Sequence, residues 1–217
     1  MKKKKLLIVL LAAMCLFAFA ACGAEFDPIA YVQGSFDSVF HGTVTEEFVD
    51  SLDDVDSVED YEAQYEELLT SITDSTLASM GITEPGEALK ADTTEMFKNI
   101  FNASKYEVSS EAVENEDGSY DVEVTVYPLL TYMEVCNDSD GSVTAAAESR
   151  VTSDMSYDEI MMVFMEELIA EINAELANPT YDEAQTRTVH VYIDEDGYYN
   201  IDEDDMAEIT TILMGVE

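Results

Sequence analysis

Three acidic residues near the C-terminal end, Asp194, Asp196 and Glu203, are spaced as ligands of a hard cation could be. With Gly197 set as the turning glycine of a twelve-residue calcium loop, Asp194 and Asp196 fall at the third and fifth positions and Glu203 at the twelfth. Tyr198 then takes the backbone-carbonyl position. The first position, however, is Tyr192, which has no carboxylate, and the residues before it alternate as a strand does. A hairpin turn explains Asp196-Gly197 without any ion, because a tight turn wants a positive φ there. The hairpin is the preferred reading and weak calcium binding the lesser one. Asp117-Gly118 and Asp140-Gly141 depart further from the loop pattern.

Other groups with chemical capacity are few. His41 lies at an expected helix end, where a cation is favoured by the dipole. His190 lies within an expected strand, in a packing or surface role. No HExxH, GxSxG or glycine-rich phosphate loop occurs. A carboxylate pair for hydrolysis could hide among 48 acidic residues, yet nothing singles one out, and there is no Trp to stack on a sugar. The clusters Asp53-Asp54-Asp56, Glu114-Glu116-Asp117 and Asp202-Glu203-Asp204-Asp205 could attract cations diffusely. Their plainer reading is a solvated acidic surface. Tyr192, Tyr198 and Tyr199 cluster on a hairpin. An outward Tyr beside carboxylates could receive an amine, although packing under the last helix is preferred.

The N-terminus MKKKKLLIVLLAAMCLFAFAAC places Lys2–Lys5 before an apolar run over residues 6–21, with small Ala20 and Ala21 ahead of Cys22. That is the layout of a secretory signal. The run falls short of the roughly 20 residues a spanning helix needs, so a retained membrane helix is the weaker reading.

Ala20-Ala21-Cys22-Gly23 resembles the lipobox of bacterial lipoproteins, with Phe19 in place of the family's usual Leu. The resemblance implies cleavage between Ala21 and Cys22 and lipidation of the Cys22 thiol and its new amine. Ordinary cleavage after Ala20 or Ala21, giving a free secreted protein, is the alternative. Cys15 leaves with the signal. With Cys22 lipidated, Cys136 has no partner in its own chain, so the domain must fold on its core alone. Cys136 is expected to be a small, half-buried hydrophobe.

Removal of Lys2–Lys5 leaves Lys90, Lys98, Lys105, Arg150 and Arg187 as the basic residues against 48 acidic ones. Such a balance argues against nucleic acid and anionic lipid surfaces as partners, and for solubility and cationic partners. The apolar content, 47%, is too high and too periodic for a disordered acidic chain.

The elements that must position these groups can be read from periodicity. Asp27-Pro28 reads as an N-cap with Pro at the first helical position; Ile29, Val32, Phe36, Val39 and Phe40 follow at helical spacing, and Gly42 stops the run. Thr45-Glu46-Glu47 starts a short second helix. Ser57 with Asp60 resembles a capping box before Tyr61, Tyr65, Leu68, Leu69 and Ile72. A fourth helix is expected over residues 87–103. The period then changes to two: strands over 106–113 and 120–127 flank a turn over 115–119. Residues 129–153 are the least readable, with an apolar start, an NDSDGS turn and a TAAAES stretch compatible with helix. Ser156 and Glu159 make a capping box for a helix over 157–177, striped by Ile160, Phe164, Leu168, Ile172 and Leu176 and widened by Met161, Val163 and Met165. Strands over 186–193 and 198–201 and a last helix capped by Asp202 or Asp204 complete the chain.

This order predicts an α+β fold: N-terminal helices and a long central helix packed on a small antiparallel sheet of about four strands. A cystatin-like or nuclear-transport-factor-like arrangement is compatible by analogy. The expected organisation is a signal peptide over 1–21, the lipidated cysteine and a short tether over 22–27, and one domain over 28–217. The stretches PIAYVQGSFDSVFHG, MFKNIFNASKYEV, YDVEVTVYPL and VHVYIDEDGYYNIDEDDMAEI resemble uncharacterised small lipoproteins of Gram-positive anaerobes. That resemblance implies an extracytoplasmic, lipid-anchored protein of the cell membrane and carries no catalytic residue with it. The expectation is a non-enzymatic binding domain, held close to the membrane, for a protein or cationic ligand. A calcium-responsive acidic envelope protein is the alternative, and a hydrolase with an unrecognised carboxylate site the third reading.

Overall fold

The computed structural model describes residues 26–50, 52, 55–195 and 197–215, together with the backbone of residues 19 and 20. It divides into two compact units. The first is built from Met1–Glu66, Ser104–Pro128 and Glu183–Glu217, and the second from Glu67–Ala103 and Leu129–Asp182.

The first unit holds the sheet. Its main strands are β2 (Lys105–Glu114), β3 (Tyr120–Tyr127), β4 (Gln185–Ile193) and β5 (Tyr198–Ile201), with a two-residue strand, β1 (Phe19–Ala20), on the outer edge of β5. The spatial order is β1-β5-β4-β3-β2, and every pairing is antiparallel. Val122, Val124, Val126, Val189 and Val191 are fully buried and line one face, as the alternation requires. Against this face lie α1 (Pro28–His41), bringing Tyr31, Val32, Phe36, Val39 and Phe40, and α8 (Glu203–Leu213), bringing Met206, Ile209 and Leu213. The expected α+β class is the observed one.

Local chemistry explains the element ends. The Asp27 carboxylate accepts from the Ile29 and Ala30 amides at 3.0 Å, and Pro28 supplies a preset φ at the first position. Gly42, at φ 59°, closes the helix in the left-handed conformation. Thr45 caps the short α2 (Glu46–Val49). The two hairpins turn alike. Asn115 N–H donates to Ser119 O and Gly118 N–H to Asn115 O; Asp194 N–H donates to Tyr198 O and Gly197 N–H to Asp194 O. Gly118 and Gly197 take φ values of 85° and 89°, the left-handed conformation that a tight turn asks of glycine.

The second unit is helical. It contains the C-terminal part of α3 (Val58–Met80), then α4 (Glu87–Asn102), α5 (Leu130–Cys136), α6 (Ser142–Arg150) and α7 (Tyr157–Glu175). Residues 129–153, the least readable stretch, thus form two short helices around a turn. The capping box at Ser156 and Glu159 is present in both directions. The α7 stripe differs from expectation. Val163, Met165, Ile169 and Ile172 are its buried residues, whereas Ile160, Phe164, Leu168 and Leu176 are half-buried. The reason is that α4, α5 and α6 all pack on α7, which widens and turns its covered arc beyond a single stripe. Cys136, expected half-buried, is exposed, because it is the last residue of the short α5 and faces outward from its final turn.

Candidate functional site

The residues around the expected lipidation site come first in the chain. Ala21 and Cys22 lie outside the described residues. Just beyond them, Phe26 lies flat on Tyr199 of β5, with ring centroids 3.5 Å apart and planes 4° from parallel. Tyr31 and Tyr120 approach the same ring at 5.6 and 5.7 Å. The Tyr31 hydroxyl donates to the Tyr199 carbonyl at 3.1 Å. Four aromatic rings, from Phe26, α1, β3 and β5, therefore meet on the β5 side of the sheet. Of the hairpin tyrosines, Tyr199 packs against Phe26 and Tyr192 stacks on His190.

The hairpin carrying the calcium candidates is also built by its own side chains. Asp194 Oδ1 accepts from the Tyr198 amide at 2.9 Å, and its Oδ2 accepts from Asn200 Nδ2 at 2.9 Å. Asp196 lies outside the described residues. Glu203 is exposed in the first turn of α8, whose N-cap is Asp202. Asp205 turns instead to the sheet and accepts from the His190 amide at 2.8 Å. Burial leads the effects on its carboxyl, and its pKa is raised. Asp53 and Asp54 lie outside the described residues. Asp56, Glu114, Glu116 and Asp117 are exposed.

The two histidines are placed as structural groups. His190 faces its cross-strand partner Asp121 at 2.9 Å on the open side of the sheet. His41 stacks on Tyr106 and has its Nε2 3.2 Å from the Ser104 carbonyl. The Tyr106 hydroxyl donates to Asp37 Oδ1 at 2.6 Å and lies 3.2 Å from His41 Nδ1. Protonated His41 can donate on both sides, to the Ser104 carbonyl and to the Tyr106 oxygen, with Asp37 at 3.7 Å. Its pKa is raised, led by Asp37 and opposed by burial. Burial acts on Asp37 most and upward, but bonds from His41, Tyr106 and Gln33 together carry its pKa below the usual value. Burial and Asp37 push the Tyr106 phenol far up, so it remains a donor.

A concave acidic site is found in the second unit, in a place the sequence did not single out. A cleft of about 420 Å³ is lined by Glu134, Asp138, Asp140, Glu171 and Glu175, with Thr131 and Ser142 among the remaining walls. NDSDGS forms its lip. Asp138 adopts φ 45°, and its carboxylate accepts from the amides of Val143 and Thr144 at 3.0 and 3.1 Å. Asp140 accepts from the Ser142 amide at 2.9 Å. Both carboxyls sit below the usual pKa, Asp138 chiefly through Thr144 and Asp140 through Ser142, so both are ionised at neutral pH. No Lys, Arg or His lines the cleft. Its complement is a cation. Among the described residues, no three His, Cys, Asp or Glu side chains converge as a metal would require. One sequence signal was available: Glu171 and Glu175 stand one turn apart on α7, hence on one face.

The basic residues lie outside the cleft and have partners of their own. Lys90 pairs with Asp74 at 2.8 Å, Arg150 with Glu166 and Glu167, and Arg187 with Glu208 at 2.6 Å, while Lys105 lies over the Tyr127 ring. Among the described residues no helix is long and apolar enough to cross a membrane.

The fold resembles the crystal structure of a candidate lipoprotein (ycdA) from Bacillus subtilis subsp. subtilis str. 168, with a TM-score of 0.55 and 14% sequence identity. The likeness covers 84% of this chain and 54% of that one, so this chain spans about half the length of its structural neighbour. At that identity it is the fold that is shared. No family model and no curated protein matches the chain.

Proposed function

We propose that this chain is a lipid-anchored extracytoplasmic domain that binds a cationic ligand or partner close to the membrane and has no catalytic chemistry of its own. The observation that carries the reading is the stack of Phe26 on Tyr199. Phe26 is only four residues beyond Cys22, a reach of at most about 14 Å when extended. A lipid on Cys22 would thus hold the β5 side of the first unit at the membrane face. A fold shared with a candidate lipoprotein of a Gram-positive bacterium supports the same envelope setting.

The binding half of the proposal draws on the acidic cleft, which offers acceptors and no donor charge. Its carboxylates argue against a glycosidase-like mechanism. A general acid needs a raised pKa beside an ionised partner, and the shifted carboxyls here, Asp138 and Asp140, are both lowered. The one described carboxyl with a raised pKa, Asp205, is occupied by the His190 amide.

Replacement of Cys22 with Ser tests the anchor. The variant should appear in the medium or persist as uncut precursor, and it should not incorporate labelled palmitate. Normal processing with continued membrane retention would overturn it. The excess of 48 acidic over nine basic residues favours a second reading, in which millimolar calcium is held diffusely at the envelope face. Calorimetry at physiological ionic strength should then show heat and a rise in Tm with calcium, and neither under the first reading.

A further inference from the structure

The helical second unit carries another cleft, of about 450 Å³, walled by Asn99, Asn102, Asn173, Leu176, Pro179 and Tyr181. Every residue lining it is uncharged, in a chain with 48 acidic residues. Asn99 comes from α4 and Asn173 from α7, and they meet through one bond, Asn99 Nδ2 to Asn173 Oδ1 at 3.1 Å. A carboxamide pair joined by one bond leaves one carbonyl oxygen and one amide nitrogen to act outward. Interchanging oxygen and nitrogen in both amides leaves the same set. The Tyr181 hydroxyl donates to the Ala103 carbonyl at 2.9 Å, and residue 181 is bridged to Leu129. Its ring is therefore held in place beside Pro179 and Leu176, giving an apolar wall next to a fixed donor and acceptor.

We infer that this cleft binds a neutral saccharide. Adjacent sugar hydroxyls each donate and accept, so two of them satisfy the outward oxygen and nitrogen of the Asn pair together. The C–H face of a pyranose covers the Tyr181, Pro179 and Leu176 wall. A cation gains nothing from uncharged amides, and an anion would meet the field of the whole acidic chain. The inference goes beyond the anchored, cation-binding reading and stands or falls independently of Cys22.

The test titrates the intact, isotopically labelled protein with cellotriose and with the N-acetylglucosamine trimer, following the side-chain amide signals of Asn99 and Asn173. A trimer of galacturonic acid serves as the charged control. At least one neutral trisaccharide should shift both signals saturably, with Kd in the range of about 1 mM usual for shallow sites of this kind. Asn173→Asp, nearly isosteric and without the donor, should weaken that binding about tenfold, with Tm measured alongside to show that the fold is kept. Asn102→Asp, at the rim, should weaken it less. Absence of a saturable shift with both neutral sugars overturns the proposal. So does equal binding of the galacturonic acid trimer, or binding that Asn173→Asp leaves unchanged.

Discussion

The ring of Phe26 rests on the ring of Tyr199, 3.5 Å away and 4° from parallel, across the whole length of the folded chain. A residue four positions after Cys22 is thereby fixed to the last strand in the chain. Replacing Phe26 with Ala removes the stack and its contacts with Tyr31 and Tyr120. The expected loss is about 1–2 kcal/mol of stability. Limited proteolysis should reveal new cuts between Cys22 and α1, while the β hairpins stay protected. An unchanged digestion pattern would show that the tether is held some other way.

The junction of α1 with β2 makes stability depend on pH in two directions. Asp37 is lowered in the folded chain, so its contribution is present above the ordinary carboxylate range and fades as pH falls through its folded value. His41 is raised, so its contribution is full below about 6.5 and fades as pH rises through its folded value. The two shifts describe one shared interaction, and it is strongest between about pH 4 and 6.5. Tm measured across pH 5–9 should fall on the alkaline side, and His41→Gln should flatten that fall. Asp37→Asn should flatten it as well, since it removes the leading cause of the His41 shift.

Much of this architecture is visible in the chain because it is specified locally. Asp27-Pro28, Gly42, Ser156 with Glu159, and the turn glycines Gly118 and Gly197 each act within a few residues, and each forms the cap or turn its chemistry dictates. The Val122, Val124 and Val126 alternation names the buried face of β3 without knowledge of its neighbours. The clefts are different. Asn99 and Asn173 are separated by 74 positions, and Asp138 and Glu171 line one cleft only through the packing of α5, α6 and α7. No local period encodes such meetings. The α7 stripe shows the same limit: a helix covered by three others buries an arc that a one-sided pattern does not forecast.

Gly34 sets local propensity against packing. Alanine is favoured over glycine within a helix by about 1 kcal/mol, and Gly34 lies inside α1. Yet a Cβ there would meet Phe48 Cδ2 at 2.4 Å, and Phe48 is buried. The ring cannot swing into solvent without losing its own burial, so the strain exceeds the helix gain. Gly34→Ala should therefore destabilise the protein by about 1–2 kcal/mol net. Denaturant melts would read this directly, and a stabilised variant would mean that Phe48 yields freely.

Cys136 ends α5 and is exposed. It should react with a thiol reagent in the native protein, without denaturant, at one equivalent per chain when Cys22 is lipidated. Protection that disappears only on unfolding would restore the half-buried thiol expected from its sequence context. Oxidative dimers through Cys136 should form slowly, because the acidic chains repel each other and slow encounter.

Asp194 separates the hairpin from the ion. Both of its carboxylate oxygens accept bonds from β5, one from the Tyr198 amide and one from Asn200. A calcium ion at this turn would have to compete with those bonds, and the loop's first ligand position holds Tyr192. If the carboxylate serves the turn, Asp194→Ala costs about 1–2 kcal/mol through two lost charge-assisted bonds, one from a backbone amide and one from Asn200. That cost should be the same in chelator and in millimolar calcium. If the carboxylate serves an ion, the wild-type protein alone gains stability with calcium, and the difference between the two proteins widens. Thermal melts of both proteins in the two buffers distinguish these outcomes. The bonds already made at Asp194 favour equal differences.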